Sequence, residues 1–96
     1  MNDLTGRVVF SKSGRDKDRM FVIVKSINDK LVLIADGDIR KIENPKVKNL
    51  KHLSLTVLYA TEVKAYLDKG EIPGNNIIRK ELKRIQEARE LNGRGV

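Results

Sequence analysis

The chain has 96 residues, which is the size of one domain with a modest core. It contains no cysteine, and this excludes a disulfide framework and a thiolate metal site. Lysine and arginine number 20 against 13 acidic residues, so the formal net charge of +7 favours nucleic acid as a partner over acidic proteins or anionic lipid.

Two features of the sequence indicate where the protein works. The chain does not open with a charged segment followed by an apolar one, so no signal peptide is predicted. The longest apolar run, residues 31–35, is far too short to cross a bilayer. We therefore expect a soluble, cytoplasmic protein without membrane contact.

Residues 1–56 have the pattern of a β-domain. Short runs of β-branched and aromatic residues alternate with polar segments that contain glycine, asparagine or aspartate, and this predicts strands separated by turns. The five predicted strands are, in chain order, residues 7–10, 20–24, 31–35, 38–42 and 52–55. The third is almost continuously apolar, which is typical of a strand buried on both faces.

The segments around the fourth strand have clear turn signals. Asp36-Gly37 predicts a tight hairpin, because glycine accepts the positive φ that a primed turn requires. Asn44-Pro45 is expected to end the fourth strand, and residues 46–51 are expected to form a basic connector. Short strands at such regular spacing predict a small closed barrel.

Residues 57–96 have a helical pattern. Thr61 or Thr56 is expected to cap a first short helix, and Gly70 lies where this helix should stop. A second helix is predicted from residue 77 to residue 91. Its apolar stripe consists of Ile78, Leu82, Ile85 and Ala88.

The end of the second helix is also predicted. Asn92-Gly93 is expected to stop it, and residues 94–96 are expected to fray. The apolar stripe is most simply explained by packing on the protein's own core. Contact with a protein partner or with a second copy is the alternative for this helix, and the sequence leaves the oligomeric state open.

One segment resembles a known motif. Residues 6–24 read as a strand, a basic loop that contains Gly14, and a second strand, and they resemble the KOW motif. The segments that follow strengthen the likeness, namely Leu33-Ile34-Ala35-Asp36-Gly37, Arg40-Lys41 and Lys51-His52-Leu53. Residues 4–56 are thus similar to the KOW domain of the large-subunit ribosomal protein family called fourteen-e, and to small bacterial KOW proteins.

The resemblance implies a mainly β fold, an SH3-like β-barrel that binds ribosomal RNA, followed here by two short C-terminal α-helices. Residues 1–56 would form the barrel, and residues 57–96 would form a helical extension packed on the same domain. Asp18 and Phe21 stand where the family often has glycine. KOW domains of transcription elongation factors bind proteins, so a protein-interaction module associated with the transcription machinery is the alternative function.

Basic residues in two groups are the candidates for contact with RNA phosphates, because cations that meet phosphates release counterions and so contribute affinity. The alternative is that they are solvated residues that keep a small barrel soluble. The first group, in the predicted first loop, is Lys12, Arg15, Lys17 and Arg19. The second group is Arg40, Lys41, Lys46, Lys48, Lys51 and His52.

Residue patterns for catalysis are lacking in the sequence. His52 is the only histidine, and a single histidine without cysteines makes a poor metal site. Asp36 and Asp38 are better explained by a turn than by metal binding. Phe10 and Phe21 lie in apolar runs and are expected in the core, which leaves few aromatic residues for base stacking. We expect a binding protein of the translation apparatus, without cofactor or metal, and not an enzyme.

Overall fold

A five-stranded antiparallel sheet followed by two C-terminal helices forms the fold, in agreement with the predicted class. The computed structural model describes residues 3–94, with side chains for residues 3–91. The strands are β1 Arg7–Ser11, β2 Met20–Ser26, β3 Leu31–Ala35, β4 Lys46–Asn49 and β5 Leu53–Tyr59. A 3-10 turn, Leu50–His52, joins β4 to β5, and the helices are α1 Thr61–Asp68 and α2 Asn75–Arg94.

The strands pair in the order β4-β3-β2-β1-β5, so β4 and β5 are the two edge strands. Each pair is antiparallel, and the ladders of β1 with β5 and of β2 with β3 each contain a register shift. Between residues 3 and 94 no ladder joins β4 to β5. The closed barrel expected from the strand spacing is therefore not confirmed.

Side-chain alternation divides the apolar residues of the sheet between its two faces. One face, which carries Val8, Val22 and Ala35, packs against the helices through Val63 and Ile78. The other face has its own cluster, in which no residue is more than 3% exposed. Its members are Val9, Phe21, Ile23, Val32, Ile34 and Leu53.

No helix covers this second cluster, yet water is excluded from it. Within residues 3–91, the half-buried apolar side chains that pack against it are those of Leu4 and Leu50. A flat sheet would leave such a face exposed, so the sheet must curl around it. The same alternation explains β3, whose side chains reach both clusters. Its predicted burial on two faces is confirmed.

The fourth strand lies later in the chain than predicted. Residues 38–42 do not form a strand, because the Asp36 carboxylate accepts hydrogen bonds from the backbone N–H groups of Asp38 and Arg40, at 3.0 and 2.8 Å, and holds them in a loop. Gly37 has the expected positive φ of +76°. It belongs to a loop over residues 36–45, however, and not to a tight hairpin. The expected basic connector instead contains β4 and the 3-10 turn.

Helix α1 begins at Thr61, and neither of the two threonines expected as its cap fills that role. Ala60 is its N-cap and makes no side-chain cap hydrogen bond, and the Thr56 hydroxyl bonds the carbonyl of Val8 instead. The cap comes from α2, where Glu81 Oε1 accepts a hydrogen bond from the backbone N–H of Glu62 at 2.8 Å. The expectation of a threonine cap was wrong, because a buried carboxylate from another helix fills that position.

Helix α2 is longer than predicted. It spans 20 residues, Asn75–Arg94, and runs through Asn92-Gly93, where a stop was expected. Ile78, Leu82 and Ile85 are buried, whereas Ala88 is exposed. Residues 95 and 96 of the predicted frayed tail lie outside the described residues.

Candidate nucleic-acid interface

The loop between β1 and β2, residues 12–19 and named L1 here, is held by its own backbone. Asp18 N–H donates to the carbonyl of Ser11 at 2.7 Å, and Ser11 N–H donates to that of Arg19 at 3.1 Å. Gly14 and Asp18 both have positive φ, +80° and +69°, which turns the chain back on itself. L1 therefore presents its cations from a fixed backbone.

L1 contacts the second basic group at two points. Lys12 N–H donates to the carbonyl of His52 at 2.8 Å, which joins L1 to the 3-10 turn. Lys46 Nζ lies 3.0 Å from Asp16 Oδ2, which joins L1 to β4. The two groups that lie apart in the sequence are thus brought together on one side of the molecule.

The register of β4 determines which way its lysines face. Lys46 pairs with Ile34 and Lys48 with Val32, so both lysines lie on the face of the sheet opposite the helices. This is the same face as the cluster around which the sheet curls. We name the combined set the basic surface. Its members are Lys12, Arg15, Lys17, Arg40, Lys46, Lys48, Lys51 and His52.

Most members of the basic surface are open to solvent. Arg40, Lys46 and Lys48 are half-buried, and those in L1 and in the 3-10 turn are exposed. Within residues 3–91, Lys46 is the member that forms an ion pair. Lys41, the remaining candidate, is exposed on the β3–β4 loop. The hydrogen bond from Asn75 lowers the pKa of Glu43, and the charge of Lys41 adds to this effect.

The Arg19 guanidinium binds two carboxylates of the β3–β4 loop. Its Nε donates to Asp36 Oδ2 at 2.6 Å, and its Nη2 donates to Asp38 Oδ2 at 3.0 Å. The Asp36 side chain is only 5% exposed. The hydrogen bond to Asp36 raises the pKa of Arg19 above its already high value. These contacts explain Asp36 and Asp38 without a metal.

Asp16 is an anion inside the basic surface, and its side chain is 11% exposed. The hydrogen bond from Lys46 lowers the pKa of Asp16 below its usual 3.8, and the charges of Lys46, Arg40 and Lys48 add to this effect. Asp16 is therefore ionised at neutral pH. The sequence shows that L1 contains acidic residues, but it does not show that Asp16 pairs with Lys46.

The four aromatic side chains are buried or half-buried. Phe21 is fully buried as predicted, but Phe10 is half-buried, belongs to neither core cluster, and has the Arg89 guanidinium 4.8 Å from its ring centre. Arg7 covers the ring of Tyr59 in the same way at 5.0 Å. Tyr66 is half-buried in α1. No described aromatic ring offers a stacking platform beside the candidate cations.

Helix α2 adds cations that the sequence argument left aside. A groove of about 370 Å³ lies between L1 and α2, and Arg19, Arg79 and Lys83 contribute to its lining. Arg79 also donates to the carbonyl of Gly37. The groove includes Asp36 and Asp38 as well, so its charge is mixed and it differs from the basic surface.

Comparison with known proteins gives a negative result. No protein-family model and no curated protein matches this chain. The likeness to KOW domains therefore stays a prediction from the residues that carry it. Among the described residues, no group of three or more histidine, cysteine, aspartate or glutamate side chains could hold a metal ion. None of the described helices is both long enough and apolar enough to cross a membrane.

Proposed function

We propose that this protein is an RNA-binding protein of the translation apparatus, with a KOW-type, SH3-like domain that contacts the phosphates of folded RNA. The observation that carries the proposal is the pair of contacts, Lys12 with His52 and Asp16 with Lys46, that merges two basic segments into the basic surface. Ribosomal RNA in the cytoplasm is the proposed target, and no reaction is involved.

Charge and shape support this mode of binding. A dense set of cations on a fixed backbone suits the regular phosphates of structured RNA. Recognition of single-stranded bases would need exposed aromatic rings, and the four aromatic side chains of the chain are buried or half-buried. We therefore propose that affinity comes from phosphate contacts, with little readout of base sequence.

The test compares two double charge reversals by fluorescence anisotropy with a labelled RNA hairpin at several salt concentrations. Lys48→Glu with Lys51→Glu changes the basic surface and leaves the Asp16 contact intact. Lys25→Glu with Lys69→Glu makes the same change of charge at exposed positions outside that surface. We expect the first variant to bind about tenfold more weakly or worse, with a salt dependence shallower by about two released ions.

The control variant should lose much less affinity, because salt screens charges that do not contact the RNA directly. Equal losses in the two variants would show that net charge alone attracts RNA and would remove the basic surface from the proposal. Sedimentation of a cell extract tests the target. Co-migration with ribosomal subunits at low salt, lost at high salt, is the expected result.

A protein-interaction module associated with transcription is the second candidate. Val57 at 89% exposure and Leu91 at 70% exposure are large apolar side chains open to solvent, and such residues suit contact with a protein. This candidate predicts co-migration with RNA polymerase that persists at high salt, together with unchanged binding after reversal of Lys48 and Lys51.

A further inference from the structure

Asp16 is half-buried beside cations that the proposed function assigns to RNA. Its Oδ2 accepts a hydrogen bond from Lys46 Nζ at 3.0 Å, and its side chain is less exposed than that of Lys46, 11% against 30%. Arg40 and Lys48 are close enough for their charges to act on it. The carboxylate thus holds the ammonium group of Lys46, and the charges of Arg40 and Lys48 favour an anion at that position.

The backbone of L1 closes on itself without this carboxylate. Backbone hydrogen bonds close the loop, from Lys17 N–H to the Gly14 carbonyl at 3.2 Å and from Arg19 N–H to the Asp16 carbonyl at 2.9 Å. The Arg19–Asp36 ion pair ties the end of L1 to the β3–β4 loop. Replacement of the Asp16 carboxylate by an amide keeps the size of the side chain and leaves all these contacts in place.

A carboxylate oxygen and a phosphate oxygen are alternative acceptors for the same ammonium group. We propose that the Asp16 carboxylate occupies a phosphate site on the basic surface and competes with RNA for Lys46. The inference rests on the proposed function and adds a regulatory element to it. RNA must displace Asp16 to use this site, so the protein binds more weakly and exchanges faster than its cations alone would allow.

The direct test is Asp16→Asn, measured with the same labelled RNA hairpin. We expect binding about two- to fivefold tighter at low salt, which is the usual effect of a partly exposed ion pair on an equilibrium. The salt dependence should steepen by about one released ion, because Lys46 becomes available to a phosphate. A residue that only stabilises L1 would not steepen the salt dependence.

Two further variants separate this effect from general electrostatics. Glu71→Gln removes one negative charge from an exposed position between α1 and α2, outside the basic surface, and should change affinity by less than half as much on a logarithmic scale. Lys46→Met removes the ammonium group for which Asp16 and RNA compete. In that background, the gain from Asp16→Asn should shrink markedly.

The outcomes distinguish the two proposals. If the wild-type protein binds the hairpin and Asp16→Asn binds no better, or if Glu71→Gln gives the same gain, the competition is refuted while the proposed function stands. If neither protein binds RNA, the proposed function fails. Inorganic pyrophosphate, followed by amide NMR shifts of residues 12–19 and 46–49, still tests the phosphate site. The shifts should saturate at lower concentration in Asp16→Asn, and equal titrations would overturn the inference.

Discussion

The ion pair between Arg19 and Asp36 joins L1 to the β3–β4 loop, and its loss should destabilise the fold. Asp36 Oδ1 accepts two backbone hydrogen bonds, but in the described residues its Oδ2 accepts only the one from Arg19, at 2.6 Å. Because the Asp36 side chain is 5% exposed, water cannot easily replace the guanidinium. Arg19→Met would leave one oxygen of a buried carboxylate without a donor.

The expected size of the effect follows from the burial of the two partners. A hydrogen bond to a charged group contributes about 1.5–3 kcal/mol, and breaking a fully buried ion pair costs about 3–5 kcal/mol. The Arg19 side chain is 39% exposed, so solvent screening places the cost in the lower range, at about 2 kcal/mol. For a domain of this size, that lowers Tm by about 10 °C.

Urea unfolding followed by circular dichroism measures this cost, and Lys17→Met is the matched control. Lys17 is exposed in the same loop and forms no ion pair within residues 3–91, so its replacement should change the free energy of unfolding by less than about 0.5 kcal/mol. At a temperature where it is folded, Arg19→Met should keep its affinity for RNA within about twofold. A loss of affinity without a loss of stability would refute the structural role.

Two other contacts give predictions that unfolding experiments can check. Glu81→Ala removes the cap from the N–H of Glu62 and should lower the free energy of unfolding by about 1–2 kcal/mol. Glu81→Gln keeps an acceptor oxygen and should retain most of the stability. Equal losses in the two variants would contradict the capping role. Gly37→Ala should lower the free energy of unfolding by more than about 2 kcal/mol, because the added Cβ would lie 2.5 Å from the Asn75 carbonyl oxygen. At Gly14 an added Cβ meets open space, so Gly14→Ala should cost about 1 kcal/mol for the positive φ alone. Similar losses at both glycines would show that the close approach is unimportant.

Local sequence patterns predicted the strands and the helix that depend on β-branched runs, turn residues and a helix-ending glycine. Strands β1 to β3 and helix α1 lie where β-branched runs, turn residues and Gly70 placed them. Strand β4 was missed because its sequence, Lys-Val-Lys-Asn, reverses the usual pattern. Its one apolar side chain, Val47, is 52% exposed, and the lysines share the face of the buried cluster. An edge strand tolerates such a pattern because one of its sides is open to water.

The contacts that define the candidate site join residues far apart in the chain. Asp16 and Lys46 are separated by 30 positions and Glu62 and Glu81 by 19, so no local pattern reveals either pair. The sequence did identify the cations themselves and the acids that accompany them. Only the fold shows that Arg19 and Lys46 bind carboxylates, whereas the other cations of L1 are exposed to solvent.

The position of Lys46 and Lys48 on an edge strand affects the tendency of the protein to associate with itself. In the part of the chain that the structure describes, no strand pairs with the outer side of β4, and such an edge can recruit a strand from another molecule. Asp16 pairs with Lys46, so two copies that approached edge to edge would bring mainly their Lys48 ammonium groups together, and this repulsion opposes aggregation. The same charges thus oppose edge-to-edge self-association of the folded protein before it binds a partner.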